Sequence, residues 1–183
     1  MAKKESQKDK KIQELLLKLA SKKENDQIKA VQSLKVHGNE SAIKPLVQVL
    51  SSTSASQLLK DEITDLLNTI KSTKVPAEII KCLNNDDFAA AHQLLLASIW
   101  NSGLDYSMYM GDIASATIKG DFMYAMECLT ILENIEGQLE EDQIMDALLV
   151  FQSYLVENKD EEDNKQQIIK EIVIILQNMN DTV

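Results

Sequence analysis

Two stretches in the first third of the chain decide the expected fold. Residues 28–34 read IKAVQSL and residues 42–50 read AIKPLVQVL, with Gly38 between them. In both stretches apolar residues recur every three or four positions, which places them on one face of an α-helix. Gly38 falls where the first helix should end, because glycine readily closes a helix. The two stretches therefore predict an antiparallel pair of helices joined by a short turn.

The same helical spacing continues on both sides of this pair. Similar segments run from Ile12 near the start of the chain to Met179 near its end. The chain contains 5 Gly and 2 Pro, far fewer than the tight turns of a sheet protein of this size require. Asp86, Asp121 and Asp163 stand where helices should begin, because an aspartate can accept hydrogen bonds from first-turn amides. We predict an all-α chain of about ten helices.

The pair at residues 28–50 resembles a HEAT repeat of the short, lyase-type class. Such repeats have inward-facing Ala and Leu in the first helix, a Gly-containing turn, and a second helix that reads roughly Ala-x-x-x-Leu-x-x-x-Leu. Residues 88–95 with Gly103, and residues 122–132 with Gly137, repeat the first half of this pattern. The resemblance implies an α-solenoid, a right-handed superhelix of antiparallel helix pairs.

Charge divides the chain into unequal parts. The net formal charge is -10, yet residues 1–44 contain eleven Lys and only six acidic residues. We expect residues 1–11 to form a basic, flexible N-terminal arm and residues 12–183 to form a single HEAT-like domain. The chain lacks Arg, the residue that most often reads phosphate and guanine through two hydrogen bonds. Nucleic acid is therefore expected only as a weak contact of the Lys-rich N-terminus.

The cysteines and apolar runs bear on the cellular compartment. Cys82 and Cys128 lie within apolar helical patterns, and we predict that both are buried free thiols, as in a reducing compartment. We find no apolar run long enough for a bilayer and no secretory signal. We expect a cytoplasmic protein without membrane contact.

Residues able to carry out catalysis are sparse. His37 and His92 are far apart in sequence, and neither they nor the two cysteines show metal-ligand spacing. We find no glycine-rich phosphate loop. We therefore predict that the protein is not an enzyme and has no catalytic residue, cofactor or metal.

The segment 100–110 concentrates residues that favour protein binding. It contains the only Trp, two of the 4 Tyr and two of the 7 Met of the chain. Aromatic residues are enriched at binding hot spots, and Met adapts to varied partners. We expect Trp100 and Tyr106, which flank Gly103 in a predicted turn, to be exposed and to contribute to binding.

The predicted second helices would line the concave groove of a solenoid. They cover about residues 40–50, 76–84, 105–118 and 139–156, and their positions outside the core include the acidic residues Asp112, Glu141, Asp142 and Asp146. We predict a non-catalytic scaffold or adaptor that binds a basic segment of a protein partner in this groove. Two alternatives stay open: nucleic-acid or ribosome association through the N-terminal arm, and homo-oligomerisation through exposed ends.

Overall fold

The computed structural model describes residues 7–135, 138–159 and 163–181. Within these ranges the chain forms ten α-helices and no strand, which confirms the predicted all-α class. The helices are α1 Gln7–Leu19, α2 Glu24–His37, α3 Ile43–Leu50, α4 Gln57–Thr69, α5 Val75–Leu83, α6 His92–Ser102, α7 Met110–Lys119, α8 Phe122–Glu133, α9 Glu141–Glu157 and α10 Asn164–Asn180. Short 3-10 helices precede three of them, at Glu40–Ala42, Asp86–Ala91 and Ser107–Tyr109. No helix in the described ranges is both long enough and apolar enough to cross a membrane.

The N-terminal helix starts earlier than the sequence suggested. Residues 7–11 of the predicted flexible arm form the first turns of α1, while residues 1–6 lie outside the described part of the chain. Ile12 and Leu15 are buried, and Lys10 and Lys11 lie on the exposed side of the helix. A run of lysines on the solvent-facing side of an amphipathic helix looks like a basic tail in sequence.

Contacts divide the chain into two compact units, Met1–Ala91 and His92–Val183. In the first unit α2 packs against α4, and α3 packs against both α1 and α5. Alternate helices therefore lie side by side in two layers, one of α2 and α4 and the other of α1, α3 and α5.

The second unit repeats this arrangement. Here α8 packs between α6 and α10 in one layer, and α7 packs against α9 in the other. In both units, the helices expected to line one face lie beside each other: α3 with α5, and α7 with α9. This packing is consistent with a helical repeat. The right-handed superhelix and the single domain over residues 12–183 stay predictions.

Most of the residues predicted to begin or end a helix lie at a helix boundary. Asp121 accepts a hydrogen bond from the Met123 amide at 2.9 Å, and Asp163 accepts one from the Gln166 amide at 2.8 Å. Gly103 follows α6 with a φ of 60°, a left-handed conformation that favours glycine. Asp86 begins a 3-10 helix rather than α6 itself. Gly137 lies outside the described residues.

A buried lysine joins α10 to the end of α7. The ammonium of Lys165 donates hydrogen bonds to the carbonyl oxygens of Ile118 and Gly120, each at 2.7 Å. The ammonium also lies 4.6 Å from the centre of the Tyr154 ring. Because the last carbonyls of a helix have no partner within it, Lys165 supplies donors that α7 lacks.

Candidate functional site

The four predicted acidic residues lie together in the second unit. Helices α7 and α9 approach closely at Gly111, where an added Cβ would lie 3.1 Å from the Cβ of Asp146. Asp112 follows Gly111 directly, so it and Asp146 lie on adjacent helices. Glu141 and Asp142 occupy the first turn of α9, about one turn before Asp146. The folded chain thus brings together residues that are more than thirty positions apart in sequence.

The start of α9 is held by its own side chains. The backbone amide of Glu140 donates to Oε1 of Gln143 at 3.1 Å, and the amide of Gln143 donates to Oδ1 of Asp142 at 3.0 Å. Negative side chains at this position also interact favourably with the helix dipole. The carboxylates of Glu141 and Asp142 therefore stand on a well-defined helix start, and both residues are exposed.

Negative charge predominates among the residues of the second unit. We define the acidic end as six residues at or before the N-terminal turns of α7 and α9: Asp105, Asp112, Glu140, Glu141, Asp142 and Asp146. Residues 92–118 and 120–158 contain no lysine. The second unit contains four Lys and seventeen acidic residues, whereas the first unit contains fifteen Lys and twelve acidic residues. The second unit therefore carries a net formal charge of -13 (4 minus 17), compared with +3 (15 minus 12) for the first unit.

Apolar side chains are exposed beside the acidic residues. Met108 is 69% exposed just before α7, and Leu149 is 67% exposed on α9. Met145 and Leu149 are four residues apart on α9, as are Asp142 and Asp146, so an apolar row and an acidic row run side by side. Sequence reasoning identified the acidic row and missed the apolar one.

Trp100 and Tyr106 were both expected to be exposed, and neither side chain is fully exposed in the structure. Trp100 is half-buried, and its indole Nε1 donates to Oε2 of Glu127 at 2.8 Å. Tyr106 is only 2% exposed, so the prediction of an exposed side chain was wrong. Tyr106 follows three residues after the left-handed turn at Gly103. Burial raises the pKa of Tyr106 far above its usual value, and a side-chain hydrogen bond with Ser102 partly opposes that effect.

Trp100 and Tyr106 instead share a small pocket that the sequence did not reveal. Its volume is about 120 Å³, and it lies between the C-terminal ends of α6 and α8. The wall combines apolar side chains with about as much polar surface, including one carboxylate, and consists of Ile99, Trp100, Gly103, Leu104, Asp105, Tyr106, Ile131, Asn134 and Ile135. The neighbouring 3-10 helix Ser107–Tyr109 packs against α9, which places the pocket next to the acidic end.

A larger cavity lies in the first unit. It has a volume of about 370 Å³ and is formed by α1, α2, α3 and the loop that follows α3. Its lining includes Leu16, Leu19 and Val49 together with the amides of Gln27 and Gln48, and it contains no titratable side chain. The lining of this cavity therefore offers no group for proton transfer near neutral pH. In the described part of the chain, no three His, Cys, Asp or Glu residues are grouped so as to hold a metal ion.

Both cysteines are buried free thiols, as predicted. Burial raises the pKa of Cys82 to about 11 and that of Cys128 to about 12. Because the thiolate is the reactive form, we expect neither cysteine to react rapidly with Ellman's reagent at pH 8 in the folded protein. In denaturing urea both thiols should react within minutes. Rapid reaction of one equivalent without urea would contradict this prediction.

No family model, curated protein or solved structure matches this chain. The resemblance to HEAT repeats therefore stays a prediction. The features of the second unit that bear on function are the acidic end, the exposed apolar row and the small pocket.

Proposed function

We propose that this protein is a non-catalytic scaffold or adaptor whose acidic end binds a basic segment of a protein partner. The observation that carries the proposal is the close approach of α7 and α9 at Gly111 and Asp146, which places Asp112 and the acidic start of α9 on adjacent helices. A lysine-rich segment meets complementary charge from these carboxylates, and neither residues 92–118 nor residues 120–158 contribute a lysine.

Typical free energies of ion pairs and of apolar burial indicate different roles for charge and for apolar contact at this surface. An exposed ion pair contributes about 0–1 kcal/mol, whereas a micromolar complex requires about 8 kcal/mol. Burying one Leu or Met side chain contributes about 1.5–3 kcal/mol. Met108, Met145 and Leu149 are 51–69% exposed, so covering all three can contribute roughly 3–6 kcal/mol. The carboxylates speed encounter and select basic partners.

The same surface disfavours nucleic acid. Phosphates carry the charge that the acidic end repels, and the chain has no Arg to read base edges. One observation favours the alternative function: Lys10, Lys11 and Lys18 are all exposed on α1, in a unit where lysines outnumber acidic residues. Nucleic-acid or ribosome association through this helix is the second candidate.

We also propose that the protein acts in the cytoplasm. Cys82 and Cys128 are both buried and free. Unpaired thiols are typical of proteins from reducing compartments. The HEAT-like solenoid belongs to the same proposal and is supported by the packing of alternate helices within each unit.

Charge reversal tests the proposed binding surface. The variant Asp112→Lys, Asp142→Lys, Asp146→Lys should recover at least about tenfold less partner from a cell extract than the parent protein, because like charges then face a basic segment. Carbodiimide cross-linking should join carboxylates of α7 and α9 to partner lysines in the parent protein only. Mass spectrometry of the cross-linked peptides provides the measurement.

A matched variant controls for net charge. Glu157→Lys, Glu171→Lys, Asp181→Lys makes the same change in net charge at exposed positions of the second unit outside the acidic end. This variant should retain its partners. Equal recovery by both triple variants would contradict the proposal. Loss of recovery after nuclease treatment, with no effect of the first variant, would support the nucleic-acid alternative.

A further inference from the structure

We propose that the pocket beside Trp100 binds one lysine side chain of the partner's basic segment, with Asp105 receiving the ammonium. This inference rests on the proposed function and assigns its anchoring contact. The carboxylate of Asp105 lines this pocket and belongs to the segment that leads into α7, next to the rest of the acidic end.

The size and lining of the pocket suit a single side chain. Its volume of about 120 Å³ is well below the several hundred Å³ of cofactor and drug-sized sites. Ile99, Leu104 and Ile131 provide apolar contact for an alkyl stem. Lysine combines such a stem with a charged end that stays near solvent.

Asp105 provides the charge at this pocket. The residue is exposed, and its Oδ1 accepts a hydrogen bond from the Ser107 amide at 2.9 Å, which fixes the carboxylate in place. This hydrogen bond is the main reason that the pKa of Asp105 lies below its usual value, so the group is ionised at neutral pH. Because one oxygen is already engaged, the site suits a point charge better than the two-pronged guanidinium of Arg.

Trp100 contributes a wall that is held in place. Its indole donates to Glu127 at 2.8 Å, so the ring is oriented before any ligand arrives. An ammonium that lies near an indole face is attracted by the ring quadrupole. A pocket with a fixed carboxylate and a fixed ring loses little conformational freedom on binding.

The first experiment uses a small probe and needs no variant. The chain contains one Trp, so the indole N–H gives a single, assigned cross-peak in a ¹H–¹⁵N spectrum. We expect Nα-acetyl-lysine N-methylamide to shift this peak saturably, with half-saturation in the millimolar range. Nα-acetyl-norleucine N-methylamide, which keeps the stem and lacks the charge, should bind at least fivefold more weakly. Equal binding of both probes, or no saturation by the lysine probe, would overturn the proposal.

The second experiment isolates the carboxylate. Asp105→Asn retains an oxygen that can accept from the Ser107 amide and removes the charge, so we expect at least fivefold weaker binding of the lysine probe. Asp121→Asn is the matched control, because Asp121 also accepts from an amide two residues on, also at 2.9 Å, and lies at the other end of α8. The control should bind the probe as the parent protein does. Parent-like binding by Asp105→Asn, with an unchanged urea midpoint, would contradict the assignment.

The two proposals can fail separately. If charge reversal on α7 and α9 abolishes partner recovery but the lysine probe leaves the indole peak unmoved, the acidic end binds partners and the pocket does not take lysine. If the lysine probe binds and charge reversal has no effect on partner recovery, the pocket takes lysine and the acidic end does not bind partners.

Discussion

Replacing Phe151 with alanine is expected to lower the free energy of unfolding by about 3–5 kcal/mol. Phe151 is 0% exposed and is the bulkiest of the fully buried side chains, on a helix that packs against both α7 and α10. Truncation removes its apolar contacts and leaves a cavity that the surrounding helices fill only in part. Since domains are stable by about 5–15 kcal/mol, this loss is a large share of the total.

Urea denaturation followed by Trp100 fluorescence measures this effect, because Trp100 lies in the same unit as Phe151. Leu149→Ala is the control, because it truncates an apolar side chain on the same helix that is 67% exposed. We expect the control to change the free energy of unfolding by less than about 0.5 kcal/mol. Similar losses in both variants would show that Phe151 does not occupy the core.

Replacing Lys165 with alanine is expected to lower the free energy of unfolding by about 2–3 kcal/mol. Two hydrogen bonds from the ammonium to the carbonyls of Ile118 and Gly120 disappear, and each charged hydrogen bond contributes about 1.5–3 kcal/mol. Burial lowers the pKa of Lys165, opposed by the charges of Asp163 and Asp121. That direction shows that desolvation of the ammonium offsets part of the gain, so we expect less than the sum of two bonds.

Two further variants separate the contributions of this residue. Lys165→Met keeps an unbranched apolar side chain but loses the ammonium with its two hydrogen bonds and its contact with the Tyr154 ring, so it should cost nearly as much as the alanine variant. Lys170→Ala changes an exposed lysine on the same helix and should have little effect. Urea midpoints measured by far-UV circular dichroism provide the comparison. If Lys165→Ala matches Lys170→Ala, the link between α10 and α7 contributes nothing to stability.

Periodicity within single helices was sufficient to predict the fold class. Each of the ten segments carries its own apolar face, and residues such as Asp121 and Asp163 mark helix starts through local chemistry alone. These signals lie within a few residues of one another. They are therefore readable without knowledge of the tertiary arrangement.

Features that depend on distant residues escaped prediction. Tyr106 is buried, and the pocket that it lines is completed by Ile131 and Ile135 from the end of α8. The alignment of Asp112 with Asp146 likewise depends on the close approach of two helices at Gly111. The acidic composition of the site was visible in sequence, whereas its geometry requires contacts across about thirty positions.

The lack of lysine around the acidic end has a practical consequence for handling the protein. In the second unit the amines are confined to Lys119, Lys159, Lys165 and Lys170, at or beyond the C-terminal ends of α7 and α9 and in the first half of α10. Amine-reactive dyes and amine-coupled sensor chips therefore leave the acidic end chemically untouched. Trypsin, which finds no Arg, should release residues 120–159 as one long peptide. Peptide mapping of this region accordingly calls for a protease that cleaves at acidic residues.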